Sequence, residues 1–263
     1  LPVLGTFWIS FFKDVTFLPR RFVFLGNYIH LLGDAQFWQA LRFTLLFSFV
    51  SVTVELVLGL IVALVINEYF KFRGAIRGIV LIPWVIPSII AARLWQLIYQ
   101  YDYGILNYIF GKLLGLHVNF LGSAGMAFLS LVIADVWRST PFVAIILLAG
   151  LQVIPKEIYR QAKVDGAGIF QRLLRITLPL IRPVMVVALL FRTIDALRVF
   201  DIIYVITGGA PGGATTSVSL YGYRYFLMGD FGYGSCVSFV LFLVAFGISL
   251  CYLKLSRFQR ELM

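Results

Sequence analysis

The chain has 263 residues, 61% of them hydrophobic and 13% charged, with a mean hydropathy of +0.95. Soluble domains are about 45–50% apolar, so a soluble domain is excluded and an all-α, polytopic membrane bundle is expected. The net charge of +10 would suggest nucleic acid on a soluble face; in a membrane chain it is read by its distribution among the loops, and no nucleic-acid partner is expected.

Leu1–Phe12 is apolar for only a dozen residues, about 18 Å of helix against a hydrocarbon core of about 30 Å. It is expected to be the outer end of a first membrane helix whose beginning is missing. It carries neither a basic flank nor a small-residue cleavage site, so it does not read as a signal peptide. Lys13–Gln36, with Asp14, Arg20, Arg21 and Asp34, reads as an external loop. Five complete spans of about 20–26 residues follow, long enough to cross with some tilt. They are Leu41–Ile66, Arg77–Tyr99, Met126–Leu151, Pro183–Ile206 and Ser235–Leu255. With the first helix restored, six spans would place both ends on one side.

Loop charges set the orientation. Asn67–Arg77 carries Lys71, Arg73 and Arg77 against Glu68, and the tail carries Lys254, Arg257 and Arg260 against Glu261. Gln100–Gly125 and Thr207–Gly234 each hold one basic and one acidic residue. The basic loops belong in the cytoplasm. Cys236 and Cys251, His30 and His117 have no partner at ligand-like spacing, so no metal site or disulfide framework is expected. Pro83, Pro87 and Pro141 fall inside spans, where freed backbone groups need protein or water partners. They fit either a packing kink or a ligand contact.

Pro155–Pro183, PKEIYRQAKVDGAGIFQRLLRITLPLIRP, holds six basic and two acidic residues and cannot lie in hydrocarbon. Apolar residues at helical spacing (Ile158, Ala162; Ile169, Leu173, Ile176) flank Gly166 and Gly168, which reads as a helical hairpin on the membrane surface, with Pro155 at the first helical position. An ordinary basic loop is the alternative. In the next span, Arg192, Asp195, Arg198 and Asp201 recur every three residues and would stack on one side of a helix. From Pro183, Arg192 lies about 13–14 Å along the axis, near mid-membrane. Unpaired charges there cost at least about 2.5–3.5 kcal/mol each, so the row must face the bundle or an aqueous path. Asp135 and Arg138 form a second such pair, and Glu55 and Arg93 are further buried candidates. Either these groups fix the bundle or some of them line a pathway.

From Arg160 the order R-Q-A, three residues, Gly166, nine residues, Ile176-x-Leu178-Pro179 resembles the cytoplasmic signature of permease subunits of binding-protein-dependent ABC importers. There it reads Glu-Ala-Ala, three residues, Gly, nine residues, Ile-x-Leu-Pro. Arg160 and Gln161 depart from it; Ala162 matches. Phe24-Leu25-Gly26-Asn27-Tyr28, Phe191-Arg192-Thr193, Arg198-Val199-Phe200-Asp201 and Tyr204-Val205-Ile206-Thr207-Gly208-Gly209 resemble the carbohydrate branch of these permeases, above all the trehalose/maltose type. The resemblance implies a single permease domain over residues 1–263 with the type I importer fold, in a prokaryotic cell membrane. Residues 155–183 would be its coupling segment, with Arg160, Gln161, Ala162, Asp165, Gly166, Ile176, Leu178 and Pro179 facing the ATPase. Implied partners are a cytoplasmic ATPase dimer, a second permease subunit, an extracytoplasmic sugar-binding protein, membrane lipid and the sugar itself. ATP and Mg²⁺ would sit on the ATPase subunits, this chain holding no cofactor. Gly208–Gly213 (GGAPGG) lacks the Gly-Lys-Ser/Thr of a phosphate loop, and no nucleophile elbow or His-Glu-x-x-His is present, so an enzyme is not expected. An ion-gradient-driven secondary transporter, coupled through Asp135, Asp195 and Asp201, is the competing reading.

Overall fold

The computed structural model describes residues 2–69 and 71–260. Among them, four helices are long and apolar enough to cross a membrane: Ala35–Asn67, Ala124–Val153, Ile169–Leu197 and Phe231–Lys254. A fifth crossing, if counted, is a bent pair, Arg73–Val85 and Ser88–Ile98. The expected Leu41–Ile66 is the centre of α3 (Ala35–Asn67), which starts where the Asp34 carboxylate accepts from Gln36 N at 2.8 Å. That cap satisfies one of the orphan donors of the first turn and lengthens the helix beyond the apolar run. The expected Met126–Leu151 likewise extends into α7 (Ala124–Val153), capped by Ser123, and Ser235–Leu255 into α13 (Phe231–Arg260).

Helices α3 and α7 form the centre of the bundle because small residues let them approach. A Cβ on Gly59 would stand 2.7 Å from Val143 Cγ1 and 3.2 Å from Ala144 N. Ala63, Val143, Leu147 and Leu151 pack there with Ile181 and Ala188. Close backbone approach of this kind replaces the hydrophobic drive that lipid cannot supply.

Two expected spans are not continuous helices. Arg77–Tyr99 is divided into α4 (Arg73–Val85) and α5 (Ser88–Ile98), which meet at 86°. Pro87 follows Pro83 by four residues; its ring conflicts with the carbonyl of residue 83, and Ile86 is forced extended (φ −65°, ψ 129°). Pro183–Ile206 is also corrected. Its helix begins earlier, as α9 (Ile169–Arg172), a π-helical turn (Leu173–Thr177) and α10 (Leu178–Leu197) in one continuous run. Pro179 has no N–H to give residue 175, and Leu178 N instead reaches back five residues to Leu173 O. At the other end α10 stops at Leu197, and α11 (Asp201–Ile206) starts a new direction. Ser217 Oγ donates to the freed carbonyl of Val199 at 2.9 Å.

The expected external loops contain structure of their own. α1 (Pro2–Ile9) lies on α13, with the Phe7 and Phe239 rings 4.5 Å apart. Lys13–Gln36 holds an antiparallel pair, β1 (Phe12–Lys13) and β2 (Arg21–Phe22), and α2 (Gly26–Gly33). The all-α expectation therefore misses one two-stranded ribbon, too short to show period-two alternation. α6 (Ile105–Leu114) lies within Gln100–Gly125 and α12 (Val218–Leu227) within Thr207–Gly234. Thr44 Oγ1 of α3 accepts from Val218 N at 3.0 Å. Tyr221 of α12 donates to Asp34; burial first, and then that hydrogen bond, hold its phenol proton well above the usual tyrosine range.

Candidate functional site

Two features combine chemistry with exposure: a hairpin projecting from one end of the bundle, and a charged cavity inside it.

The hairpin's first arm is α8 (Lys156–Val164), with Pro155 as its N-cap rather than its first helical residue. Ala167 N bonds to Ala162 O at 2.8 Å and Gly166 N to Lys163 O at 3.1 Å, the paired bonds of a Schellman motif, with Gly166 left-handed at φ +78°. Nothing lies within 4 Å of where a Gly166 Cβ would be, so the glycine is required by backbone conformation and not by crowding. The second arm is α9 and the π-helical turn, the lower end of the membrane helix itself. Tyr159 and Thr177 hydroxyls, 3.0 Å apart, tie the arms, and Ala162 is buried between them.

Arg160, Gln161, Asp165, Gly166 and Pro179 are exposed, Ile176 and Leu178 half-buried. Among the described residues Arg160 pairs with Glu157, at 3.8 Å on the helix surface, worth about 0–1 kcal/mol. Val164, Ile169 and Phe170 stand 75% or more exposed around the turn. This apolar tip was not singled out in the sequence, where Ile169 counted only as one of the apolar positions at helical spacing. An exposed apolar projection of this kind marks an interaction surface.

The cavity, of about 430 Å³, opens where α5, α7, α10 and α11 meet. Its floor is Arg192, 2% exposed. Nη2 donates to Glu55 Oε1 at 2.9 Å and to Asp135, Nε donates to Glu55, and Nη1 donates to Asp195 Oδ2 at 3.2 Å. One guanidinium thus joins α3, α7 and α10, its fork presenting N–H groups to carboxylates on several sides. Glu55, Asp135 and Arg192 are the buried network that the sequence foreshadowed.

The rest of the row behaves differently. Asp195 and Arg198 side chains are 57% and 68% exposed on this chain and approach each other only to 4.0 Å. Because α10 ends at Leu197, Arg198 and Asp201 leave the helix and the row of four is not one stacked face. Asp201 accepts instead from Ser88 Oγ, at the first turn of α5. Ser88 had no sequence signal beyond following Pro87. Arg138 borders the cavity, its Nε buried with no hydrogen-bond partner among the described residues. Arg93 is exposed and bonds Gln96 on its own helix, so its expected burial is corrected: it sits on the side of α5 opposite Ala91 and Ala92. Replacing Ser88 by alanine is expected to cost about 1 kcal/mol, read as a small drop in the melting temperature of the purified protein; an unchanged value would show that this bond does not hold α5 to α11.

Residues 55–260 match the family described as binding-protein-dependent transport system inner membrane component. The chain is 54% identical over 262 residues to the trehalose/maltose transport system permease protein MalF of Thermococcus litoralis, covering 99% of this chain and 89% of that one. It is 39% identical over 257 residues to the trehalose transport system permease protein SugA of Mycobacterium tuberculosis, covering 97% and 82%. Among solved structures, a chain of a bacterial alginate ABC transporter, in complex with an alginate pentasaccharide-bound periplasmic protein, superposes with a TM-score of 0.84 at 27% identity, over 97% of this chain and 87% of that one.

Proposed function

Since the chain belongs to the binding-protein-dependent transport system inner membrane components, and is therefore a permease subunit of an ABC importer, we propose that it forms half of the translocation pathway for a neutral disaccharide of the trehalose/maltose class. The observation that carries this reading is the likeness to the Thermococcus litoralis permease over nearly the whole of both chains. Its partners are a cytoplasmic ATPase dimer that binds ATP and Mg²⁺ and performs the hydrolysis, a second permease and an extracytoplasmic sugar-binding protein. The ion-gradient alternative finds no support in these relatives, and an exposed docking hairpin has no use in a secondary transporter.

The hairpin is the ATPase contact, lying on the cytoplasmic side together with the C-terminus, and its apolar tip of Val164, Ile169 and Phe170 enters the ATPase cleft. When nucleotide closes the ATPases, the hairpin is carried with them and the cavity changes its side of access. Within the cavity, Glu55, Asp135 and Arg192 hold the helices, while Asp195, Arg198 and Asp201 face the path and meet sugar hydroxyls. The test is sugar-stimulated ATP hydrolysis by the chain purified with its partners. Stimulation by trehalose or maltose is expected; a complex that assembles yet responds to neither refutes the substrate class.

Arg160 allows a separate check of the docking. Its ion pair with Glu157 is exposed and weak, so Arg160→Glu leaves the fold intact. Like-charge contacts at an interface cost several kcal/mol; the variant is therefore expected to lose most of its stimulated hydrolysis, and a reciprocal charge change on the ATPase to restore it. Full coupling in the single variant at low and moderate salt would remove Arg160 from the contact.

A further inference from the structure

We propose that α6 lies in the membrane–water interface, with its outward apolar face seated among lipid acyl chains and headgroups. The helix is ten residues long and divides cleanly. Leu106 and Phe110 turn inward, Leu106 onto the main core and Phe110 onto Phe120, the rings 6.1 Å apart. Asn107, 1% exposed, is the staple: its Nδ2 donates to Tyr101 O at 3.1 Å and Val118 O at 2.9 Å, and its Oδ1 accepts from Val118 N at 2.8 Å. Those backbone groups lie just after α5 and shortly before α7. Tyr99, capping α5, donates to Ser130 O of α7 at 2.9 Å. α6 is therefore fixed at the level where two membrane-embedded helices end, and it cannot swing away from that rim.

The other side of α6 carries Ile105, Tyr108, Ile109, Lys112 and Leu113. The four uncharged members are 41–74% exposed, and all five fall within an arc of about 140° at 100° per residue. The composition selects lipid over protein as what covers them. A buried protein interface is depleted in lysine at its core, whereas here Lys112 sits in the middle of the stripe, its ammonium 5.8 Å from the Tyr108 ring centroid. Apolar residues with tyrosine and a lysine that can snorkel are the pattern of interfacial helices and aromatic belts. α6 itself holds no acidic residue to repel phosphate. Beside it opens a cavity of about 680 Å³ bordered by Tyr103, Tyr108, Lys112 and His117, with one carboxylate, Asp102, also on its rim. It is wide enough for a phospholipid headgroup, with phenol and ammonium donors for its phosphate.

The experiment uses the complete importer, with its ATPases, second permease and binding protein, in vesicles of phosphatidylethanolamine and phosphatidylglycerol. In a Cys251→Ser background, which removes the exposed native thiol, nitroxide labels are placed one at a time at Ile105→Cys, Ile109→Cys and Leu113→Cys. Each is expected to collide more often with oxygen than with a nickel chelate, at a depth of about 5–10 Å below the phosphates. Labels immobilised and reached by neither probe would show that the second permease or the binding protein covers α6. Labels reached mainly by the nickel chelate would place the face in water. Either result overturns the proposal, and neither bears on which sugar is carried.

Discussion

Arg192→Leu is expected to abolish assembly of the complex. The substitution leaves Glu55 and Asp135, 0% and 4% exposed, facing one another from α3 and α7 with no cation between them. Removing one partner of a buried ion pair typically costs about 3–5 kcal/mol, a large part of the stability of a helical bundle. Yield of the purified complex and its melting temperature are the readouts. Asp195→Asn makes the contrast: its carboxylate is more than half exposed and lies at the end of the network, so the chain should assemble with it. A triple replacement, Glu55→Met, Asp135→Leu and Arg192→Met, should recover assembly, because an apolar set of similar volume carries no desolvation penalty. Normal yield and melting of Arg192→Leu alone would show that the triad does not hold the bundle.

The second large effect is expected at Gly166. Valine is β-branched and strongly disfavoured at φ +78°, where even an unbranched side chain costs about 1–2 kcal/mol. Space is not limiting, so the chain inserts and folds while the turn relaxes to a negative φ, breaking the bonds to Ala162 and Lys163 and displacing the tip. Gly166→Val should lose sugar-stimulated ATP hydrolysis and ATPase co-purification, with normal membrane levels. Gly166→Asn, which tolerates the left-handed region, should keep most of both. Valine with wild-type coupling would mean that the turn geometry is irrelevant to docking.

The membrane class, the centres of three spans and the hairpin were legible in the sequence because each rests on a local property: length of an apolar run, charge density, a glycine between two periodic segments. Glu55, Asp135 and Arg192 were legible one by one, since a charge within an apolar run needs a partner, but not as a triad. Their partners lie 57 and 137 positions away, and helical spacing speaks only to neighbours on one helix. The row from Arg192 to Asp201 was misread for the same reason. Spacing of three holds only while the helix continues, and the stop at Leu197 is supported by Ser217, twenty residues downstream. The bend at Pro87 was suggested by the prolines, but its 86° size was not: Pro141 sits within α7 without ending it. Exposure of Val164, Ile169 and Phe170 contradicts amphipathic patterning within a single chain, and the proposed docking would account for it.

The unbroken run from Ile169 to Leu197 makes the hairpin's second arm and the cavity floor parts of one lever. It has 29 residues, about 43 Å at 1.5 Å per residue, and Arg192 lies about 35 Å from its tip. Glu55 and Asp135 hold it near the far end; on the proposed docking, Arg192 would be the fulcrum, and a displacement at the tip would reach the cavity much reduced, as a small rotation. The interruption at Arg198–Phe200 falls just past that fulcrum. The run ends in a joint that carries Arg198, with Asp195 one turn before it and Asp201 at the start of α11; motion applied at the tip would be taken up there and at the π-helical turn and Pro183 within the run.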